Sequence, residues 1–198
     1  MLDKSLPYFD IVMKADKITA SKWAPLPLPD GYSFKMYEDG DEEGWATLEV
    51  LVGEFASHAD ALAYFQKVFL PHRHLLPERM CFVTDADEKI IATASAWFKE
   101  EDGRHYPLLH WISTSPEVQG KGIGSAVTAQ ALSVLRETDP GADVFLHTQT
   151  WSHRAIKMYY KYGFRITKTV IPGARTDFRY REVLHGILPD EILNGITA

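Results

Sequence analysis

The spacing of apolar and polar residues predicts a chain of mixed strands and helices. Alternating or β-branched stretches predict strands at residues 32–37, 80–84, 90–98, 108–114, 144–149, 164–170 and 178–184. Helical spacing of apolar residues predicts helices at residues 41–52, 59–70, 122–138 and 152–162. The polar turn at residues 85–89 indicates a hairpin. This order of elements favours an α/β sandwich around one mixed sheet.

The first thirty residues differ from the rest of the chain. Residues 8–13 are extended in pattern, and the alternating prolines of residues 25–29 exclude a helix. We interpret residues 1–30 as an N-terminal extension that packs on the domain as a surface strap. Residues 31–198 are predicted to form a single domain, because a chain of 198 residues with 45% hydrophobic content can bury one sizeable core.

Charge and cysteine content narrow the functional classes. A net charge of -6 disfavours nucleic acid as a partner and mildly favours cationic ligands. The single cysteine, Cys81, lies in an apolar run, which predicts a buried thiol and suits a reducing compartment. The start lacks the apolar core of a signal peptide, and no long apolar run occurs. We therefore expect a soluble, cytoplasmic protein with no membrane partner.

The strongest chemical signal is the glycine-rich segment at residues 115–125, between a predicted strand and a predicted helix. Helix starts leave backbone N–H groups unpaired, and these groups bind phosphate. Glycines at 120, 122 and 124 allow close approach of an anion, and Lys121 adds a positive charge. The spacing matches neither the P-loop nor the dinucleotide-binding fingerprint. The segment therefore predicts a phosphate site of another kind.

Two motifs point to a known family. Gln119, Gly122 and Gly124 match the pattern Q/R-x-x-G-x-G/A, and residues 152–164 are similar to N-x-x-A-x-x-x-Y-x-x-x-G-F, with Ser152 in the place of the usual asparagine. With these motifs the chain resembles the GNAT acetyltransferase superfamily. The resemblance implies a mixed central sheet of about six or seven strands flanked by about four helices. It also implies acetyl-CoA as the acyl donor and no metal.

The resemblance further implies which residues bind acetyl-CoA. These are Ile112, Ser113, Thr114, Gln119, Gly120, Lys121, Gly122, Ile123, Gly124, Ser125, Ser152 and Tyr159. Tyr159 would be the general acid, since a phenol with a pKa of about 10 keeps its proton at neutral pH. Packing in the core is the alternative role for Tyr159, and helix capping is the alternative for Ser152.

The general base that would deprotonate the amine has more than one candidate. His110 lies on the strand that leads into the glycine-rich loop and is our candidate, although a buried, hydrogen-bonded histidine is the alternative. It occupies a place similar to one of the paired histidines of arylalkylamine acetyltransferases, whereas Leu108 stands at the other place. His147 is a weaker candidate, and Gln149 and Glu54 are possible polar groups of a substrate pocket.

These observations predict an N-acetyltransferase that acts on the amine of a small molecule or peptide. Two alternatives remain: a CoA-binding sensor without turnover, and a nucleotide-binding protein. A homodimer is also possible, because residues 184–198 contain apolar side chains. Two histidines at residues 72 and 74 do not form a metal set, and we interpret residues 71–74 as a solvated loop.

Overall fold

The computed structural model describes residues 2–197. Its strands are β1 (Asp10–Ala15), β2 (Ser33–Met36), β3 (Met80–Thr84), β4 (Ile90–Glu101), β5 (Arg104–Thr114), β6 (Val144–Gln149), β7 (Arg165–Thr167) and β8 (Ile196–Thr197). Its α-helices are α1 (Lys17–Ala20), α2 (Asp41–Val52), α3 (His58–Val68), α4 (Leu76–Arg79), α5 (Ile123–Thr138), α6 (His153–Lys161), α7 (Tyr180–Leu184) and α8 (Asp190–Asn194). Short 3-10 helices cover Leu70–Leu75, Pro116–Val118 and Thr150–Ser152.

Within residues 2–197 the eight strands form one mixed sheet in the order β2-β3-β4-β5-β6-β1-β7-β8. The pairs β5-β6 and β7-β8 are parallel, whereas β2-β3, β3-β4, β1-β6 and β1-β7 are antiparallel. The predicted α/β class with one mixed sheet is confirmed. The expected counts of strands and helices are too low, because β8, α1, α4, α7 and α8 are too short to give a periodic signal.

The described residues divide into two compact units. The first unit comprises Ala24–Trp97 and Leu109–Glu137, and it contains β2, β3, α2, α3, α4 and nearly all of α5. The second unit comprises Leu2–Trp23, Phe98–Leu108 and the described residues from Thr138 onward. It contains β1, β6, β7, β8, α1, α6, α7 and α8. Strands β4 and β5 contribute residues to both units.

The first unit has a core rich in aromatic residues. Helix α2 begins with acids in its first turn, which suit the positive end of the helix dipole, and ends at Gly53 with a φ of 88°. Helix α3 is capped by Ser57, whose side chain accepts a hydrogen bond from the Asp60 N–H. Buried residues include Tyr37, Trp45, Leu48, Phe65, Phe69, Leu76, Met80, Phe82 and Trp97. Cys81 is buried as predicted, and burial raises the pKa of its thiol to about 12.

The second unit is built around β1, which lies between β6 and β7. Ile11, Val12 and Met13 on this strand have no exposed surface. For residues 10–15 the expected surface-strap role is therefore wrong, because the sequence pattern specified an extended segment without specifying its partners. The predicted division at residues 30 and 31 stays a prediction, and Met1 and Ala198 lie outside the described residues.

Two expectations for the end of the chain also change. The strand predicted at residues 178–184 is wrong, because residues 180–184 form α7. Tyr180 is buried on this helix, and its hydroxyl donates a hydrogen bond to the Leu193 carbonyl at 2.8 Å. The strand predicted at residues 164–170 is shorter, since β7 ends at Thr167. None of the helices within residues 2–197 combines the length and apolarity that crossing a membrane requires.

Candidate functional site

The glycine-rich segment at residues 119–125 connects β5 to α5, and it is anchored on both sides. Directly after β5, the Ser115 N–H donates to the Ile91 carbonyl at 2.8 Å. The following 3-10 helix buries Val118, and α5 begins with the buried Ile123. Residues 119–122 between these anchors are exposed. The chain thus presents a fixed but accessible loop at the start of a sixteen-residue helix.

Each glycine of the loop has a local physical reason. Gly120 and Gly122 have φ values of 81° and 84°, which other residues rarely adopt, and a Cβ on either would meet no atom within 4 Å. A Cβ on Gly124 would lie 3.0 Å from Thr114 Oγ1, so this glycine lets the helix start approach β5 closely. Open space in front of a helix start suits a diphosphate, which backbone N–H groups can bind.

Lys121 lies at the exposed rim of the loop. Its Nζ donates a hydrogen bond to the Tyr32 hydroxyl at 2.9 Å and lies 5.5 Å from the centroid of that ring. This contact holds the ammonium group beside the loop and leaves its other donors for an anion. The sequence indicated the charge of Lys121, but it did not indicate the role of Tyr32.

Strand β5 is distorted just before the predicted acetyl-CoA residues Ile112, Ser113 and Thr114. Trp111 has a φ of 47°, in the left-handed region that bulky residues avoid. Such a conformation costs roughly 1–3 kcal/mol and is typical of functional sites. The Trp111 Nε1–H donates to the Tyr64 hydroxyl at 3.0 Å, and this bond helps to hold the strained residue. Ser113 is buried, whereas its two neighbours are partly exposed.

A family model described as the acetyltransferase (GNAT) family matches residues 34–164. The chain belongs to this family. The matched range includes the loop, β5 and α6, so the family resemblance expected from the two motifs is confirmed.

Individual relatives are more distant. The chain is 26% identical over 155 residues to a mycothiol acetyltransferase of Pseudarthrobacter chlorophenolicus. The matched region covers 71% of this chain and 46% of that protein. A GCN5-related N-acetyltransferase from Sphaerobacter thermophilus has a TM-score of 0.59 at 18% identity, covering 81% of this chain and 49% of the other. Naa50 of Arabidopsis thaliana, in complex with the bisubstrate analogue CoA-Ac-MVNAL, has a TM-score of 0.52 at 21% identity and covers 71% and 87%. The chain spans about half the length of the first two relatives.

The second unit holds the other two predicted site residues. Tyr159 on α6 is 4% exposed, and its ring lies edge-on to Phe164 with the centroids 6.3 Å apart. This packing fits the alternative role of a core residue, and the acid role stays a prediction. Ser152 precedes α6, but its side chain makes no capping hydrogen bond. The capping role expected for Ser152 is therefore wrong, and contact with acetyl-CoA stays a prediction for it.

The two candidate histidines have different surroundings. In the first unit, His110 is partly exposed, and its ring lies 6.1 Å from Phe69 and 5.9 Å from Trp111. In the second unit, His147 is exposed and lies 2.8 Å from a carboxylate oxygen of Asp10. The exposed contact with Asp10 explains His147 as a surface residue. A role of either histidine as base stays a prediction.

Sequence reasoning missed Glu49, which is fully buried on α2 of the first unit. Its Oε2 accepts a hydrogen bond from Ser113 Oγ at 2.9 Å, and so this carboxyl touches β5 next to the predicted acetyl-CoA residues. Burial raises the pKa of Glu49 to about 8; the charge of Glu54 also raises it, and the Ser113 hydrogen bond opposes the change. The available signal was an acid four residues after Trp45, on the apolar stripe of α2.

Residues 2–197 contain no group of three or more histidine, cysteine, aspartate or glutamate side chains that could hold a metal ion. Residues 71–74, interpreted as a solvated loop, lie within the 3-10 helix Leu70–Leu75.

Proposed function

We propose that this chain is an N-acetyltransferase that moves the acetyl group of acetyl-CoA to the amine of a small molecule or peptide. The observation that carries the proposal is the loop at residues 119–125. Gly120 and Gly122 have positive φ values and open space before them, at the start of a long helix. Membership of the GNAT family and the CoA-based analogue bound to Naa50 of Arabidopsis thaliana support the same assignment.

The chain's own residues have distinct proposed tasks. The backbone of Gln119–Ser125 binds the diphosphate, and Lys121 adds charge at its edge. The backbone of Ile112 and Thr114 pairs with the pantetheine amides, and Ser152 and Tyr159 add contacts. When bound, acetyl-CoA supplies the acetyl group as a thioester. A backbone N–H of β5, that of Thr114 or its neighbour, polarises the thioester carbonyl.

Tyr159 is the proposed general acid. A phenol with an ordinary pKa of about 10 keeps its proton at neutral pH and can donate it when the product forms. The burial of Tyr159 excludes bulk water from its ring, which favours directed proton transfer. His110 is the base that the sequence suggests, and Glu49 is a second candidate of the first unit.

We place the activity in the cytoplasm, because a lone buried cysteine suits a reducing compartment. The net charge of -6 favours a cationic acceptor and disfavours nucleic acid. A homodimer stays a prediction.

A ligand panel followed by an activity screen tests the proposal. CoA at about a hundred times its dissociation constant should stabilise the protein by about 2.7 kcal/mol in thermal denaturation, whereas ATP and NAD should not. Acetyl-CoA with a panel of amines should then release free thiol. Stabilisation by CoA without thiol release would favour a sensor, and stabilisation by ATP or NAD alone would contradict the assignment.

The acid role has a separate test. Tyr159→Phe removes the hydroxyl and keeps the ring, so CoA affinity should be retained while kcat falls roughly 100-fold. Tyr160→Phe is the matched control, because Tyr160 lies on the same helix, under the Arg165 guanidinium at 3.8 Å. Full activity of the Tyr159 variant would remove this residue as the acid.

A further inference from the structure

The interior of the first unit contains buried polar atoms without a hydrogen-bond partner in the described protein. They are Trp45 Nε1 and Glu49 Oε1 on α2, and Thr93 Oγ1 and Ser95 Oγ on β4. Except for Trp45, a donor only, each can accept a hydrogen bond. Buried polar groups in native proteins are nearly always paired, so such a group points to a ligand or to ordered water.

The two hydroxyls on β4 lie on the face of the sheet that is covered by α2 and α3. In the pairing of β3 with β4, Thr93 lies opposite Phe82 and Ser95 lies opposite Met80. Residues directly opposite each other share a face, and Phe82 and Met80 belong to the aromatic core beneath α2 and α3. Trp45 and Glu49 are one turn apart on α2 and are also buried there. The unpaired atoms therefore belong to one interior.

An aromatic wall, defined as the rings of Trp45, Phe55, Tyr64 and Trp111, borders this interior. Every pair of these rings has centroids between 4.9 and 6.3 Å apart. Phe55, Tyr64 and Trp111 are partly exposed, so they form the solvent side of the wall. Burial raises the pKa of the Tyr64 phenol, and a nearby charge on Glu49 acts in the same direction, as expected for a carboxyl close to the wall.

Resting on the proposed acetyl transfer, we propose that Glu49 binds the ammonium group of the acceptor at its unpaired Oε1 and takes its proton. The acceptor is a primary amine on an apolar or aromatic carbon chain. Aromatic faces attract cations and pack against apolar carbon, whereas a polyhydroxylated amine would lose hydrogen bonds to water there. The contact between Glu49 Oε2 and Ser113 Oγ places this carboxyl beside β5, the strand with the predicted acetyl-CoA residues.

The proton balance is simple. One N–H bond of the ammonium group breaks, the proton moves to Oε1, the carboxylate becomes a neutral acid, and nitrogen regains the lone pair that it needs to attack a carbonyl. A carboxyl in a dry site is a stronger base than one in water, which narrows its gap to an alkylammonium group of pKa about 10.4. Among the described residues, the carboxyl of Glu54 after α2 and the phenol of Tyr64 on α3 interact electrostatically with Glu49, and the Ser113 hydroxyl on β5 donates a hydrogen bond to it.

Carboxyl NMR of the wild-type protein tests binding directly. Glutamate is labelled with ¹³C at Cδ, and the Glu49 signal is assigned by its loss in Glu49→Gln. Phenethylammonium chloride is added in the absence of CoA, and 2-phenylethanol serves as the uncharged control. We expect the ammonium ion, but not the alcohol, to move the Glu49 titration to lower pH, because a nearby cation favours the charged carboxylate. A titration that phenethylammonium leaves unmoved would overturn the inference.

Variants test the same contact. Glutamine has the size and neutrality of a protonated glutamic acid and can keep the Ser113 hydrogen bond, so Glu49→Gln should fold. It should bind phenethylammonium at least tenfold more weakly, with CoA binding unchanged. The matched control is Glu43→Gln, at an exposed carboxyl on the same helix, which should bind within about twofold of wild type. If Glu49→Gln binds phenethylammonium as tightly as the wild-type protein does, the inference is refuted.

Turnover separates this inference from the proposed function. In wild type, kcat/KM for phenethylamine should rise with pH as Glu49 loses its proton, and Glu49→Gln should lose this limb and at least 100-fold in kcat/KM. If the wild-type enzyme is active and Glu49→Gln has the same pH profile, only the proposed role of Glu49 is refuted. A wild-type protein that binds the amine at Glu49 but releases no thiol with any amine would sink the proposed acetyl transfer and the proton-transfer step with it.

Discussion

The interiors of the two units differ in whether their buried polar side chains have hydrogen-bond partners. In the second unit, Thr176 Oγ1 accepts from the Val12 N–H at 3.0 Å and donates to the Thr167 carbonyl at 2.8 Å. In the first unit, Thr93 Oγ1 and Glu49 Oε1 are buried and have no hydrogen-bond partner among the described residues. A paired polar group fixes backbone, whereas an unpaired one costs about 1–3 kcal/mol. The difference separates a polar group that serves the fold from one that is available to a ligand.

The contrast is not absolute. His153 Nδ1 and Thr197 Oγ1 of the second unit are also buried without a partner in the described residues. Both atoms belong to side chains that are partly exposed, so small movements can bring them to water. Thr93, Ser95, Trp45 and Glu49 have no exposed surface at all. Among the described residues, it is therefore the first unit that places unpaired polar atoms where solvent cannot reach them.

The largest expected effect comes from two glycines with the same backbone strain. Gly122→Val in the first unit and Gly141→Val in the second both force a β-branched residue into a positive φ, of 84° and 75°, with open space around the new Cβ. Each should lose roughly 1–2 kcal/mol of stability. Only Gly122→Val should weaken CoA binding by more than about 100-fold, measured by calorimetry. Similar CoA affinities of the two variants would contradict the loop assignment.

Stability as a function of pH should reveal the Glu49 carboxyl. Its pKa is raised by burial from an ordinary 4.5 to about 8, so the folded protein holds a proton that the unfolded chain releases between these values. The stability contributed by this group is complete below about pH 4.5 and is lost as pH rises through 8. In urea titrations, wild type should lose a few kcal/mol relative to Glu49→Gln between pH 5 and 8. Parallel curves would contradict a buried, protonated carboxyl.

Asp177 in the second unit supplies the opposite sign. The hydrogen bond from Arg179 lowers the pKa of this carboxyl to about 2. A depressed pKa adds stability above the ordinary value near 4, and this stability is lost as pH falls toward 2. Asp177→Asn should therefore change only the acid limb of the stability curve, whereas Glu49→Gln changes the neutral and alkaline part. An effect of Asp177→Asn confined to pH 7–8 would contradict this division.

Replacing threonine by valine compares the two interiors directly. Thr176→Val removes the partner of a buried N–H and a buried carbonyl and should cost about 2–4 kcal/mol, or several degrees in Tm. Thr93→Val removes a hydroxyl that has no described partner and should be neutral or slightly stabilising. Both effects are measured by urea denaturation without ligand. A loss at Thr93 as large as at Thr176 would show that the Thr93 hydroxyl is already paired, by ordered water for example.

The sequence predicted the long periodic elements and the glycine loop well. Helices α2, α3, α5 and α6 lie within about two residues of their predicted ranges, because each has a continuous apolar stripe. It failed for residues 178–184, where an alternating pattern over a few residues fits a short helix as well as a strand. The central position of β1 was also out of reach, since pairing partners far apart in sequence leave no local pattern.

The residues of the candidate site also divide into those that local sequence predicts and those that depend on distant contacts. Gly120 and Gly122 were predictable because a backbone conformation demands glycine locally. Glu49 was not, because its importance comes from burial beside Ser113, which lies 64 residues further along the chain. The left-handed backbone at Trp111 was equally hidden, since tryptophan has no preference for that conformation. Motifs therefore indicated the acyl-donor side of the site, and only tertiary structure indicated the buried Glu49 carboxyl under α2.

The smallest expected effect concerns charge at the rim of the loop. Lys121 Nζ is held beside the loop by Tyr32, whereas Lys22 is an exposed lysine of the second unit. An exposed ammonium near a diphosphate contributes less than about 1 kcal/mol and is screened by salt. Lys121→Ala should weaken CoA binding about threefold at low salt and hardly at all at 0.5 M salt, and Lys22→Ala should change it at neither. Because Tyr32 fixes this lysine, Tyr32→Phe should reproduce part of the loss; a salt-independent loss in Lys121→Ala would instead indicate that the side chain supports the shape of the loop.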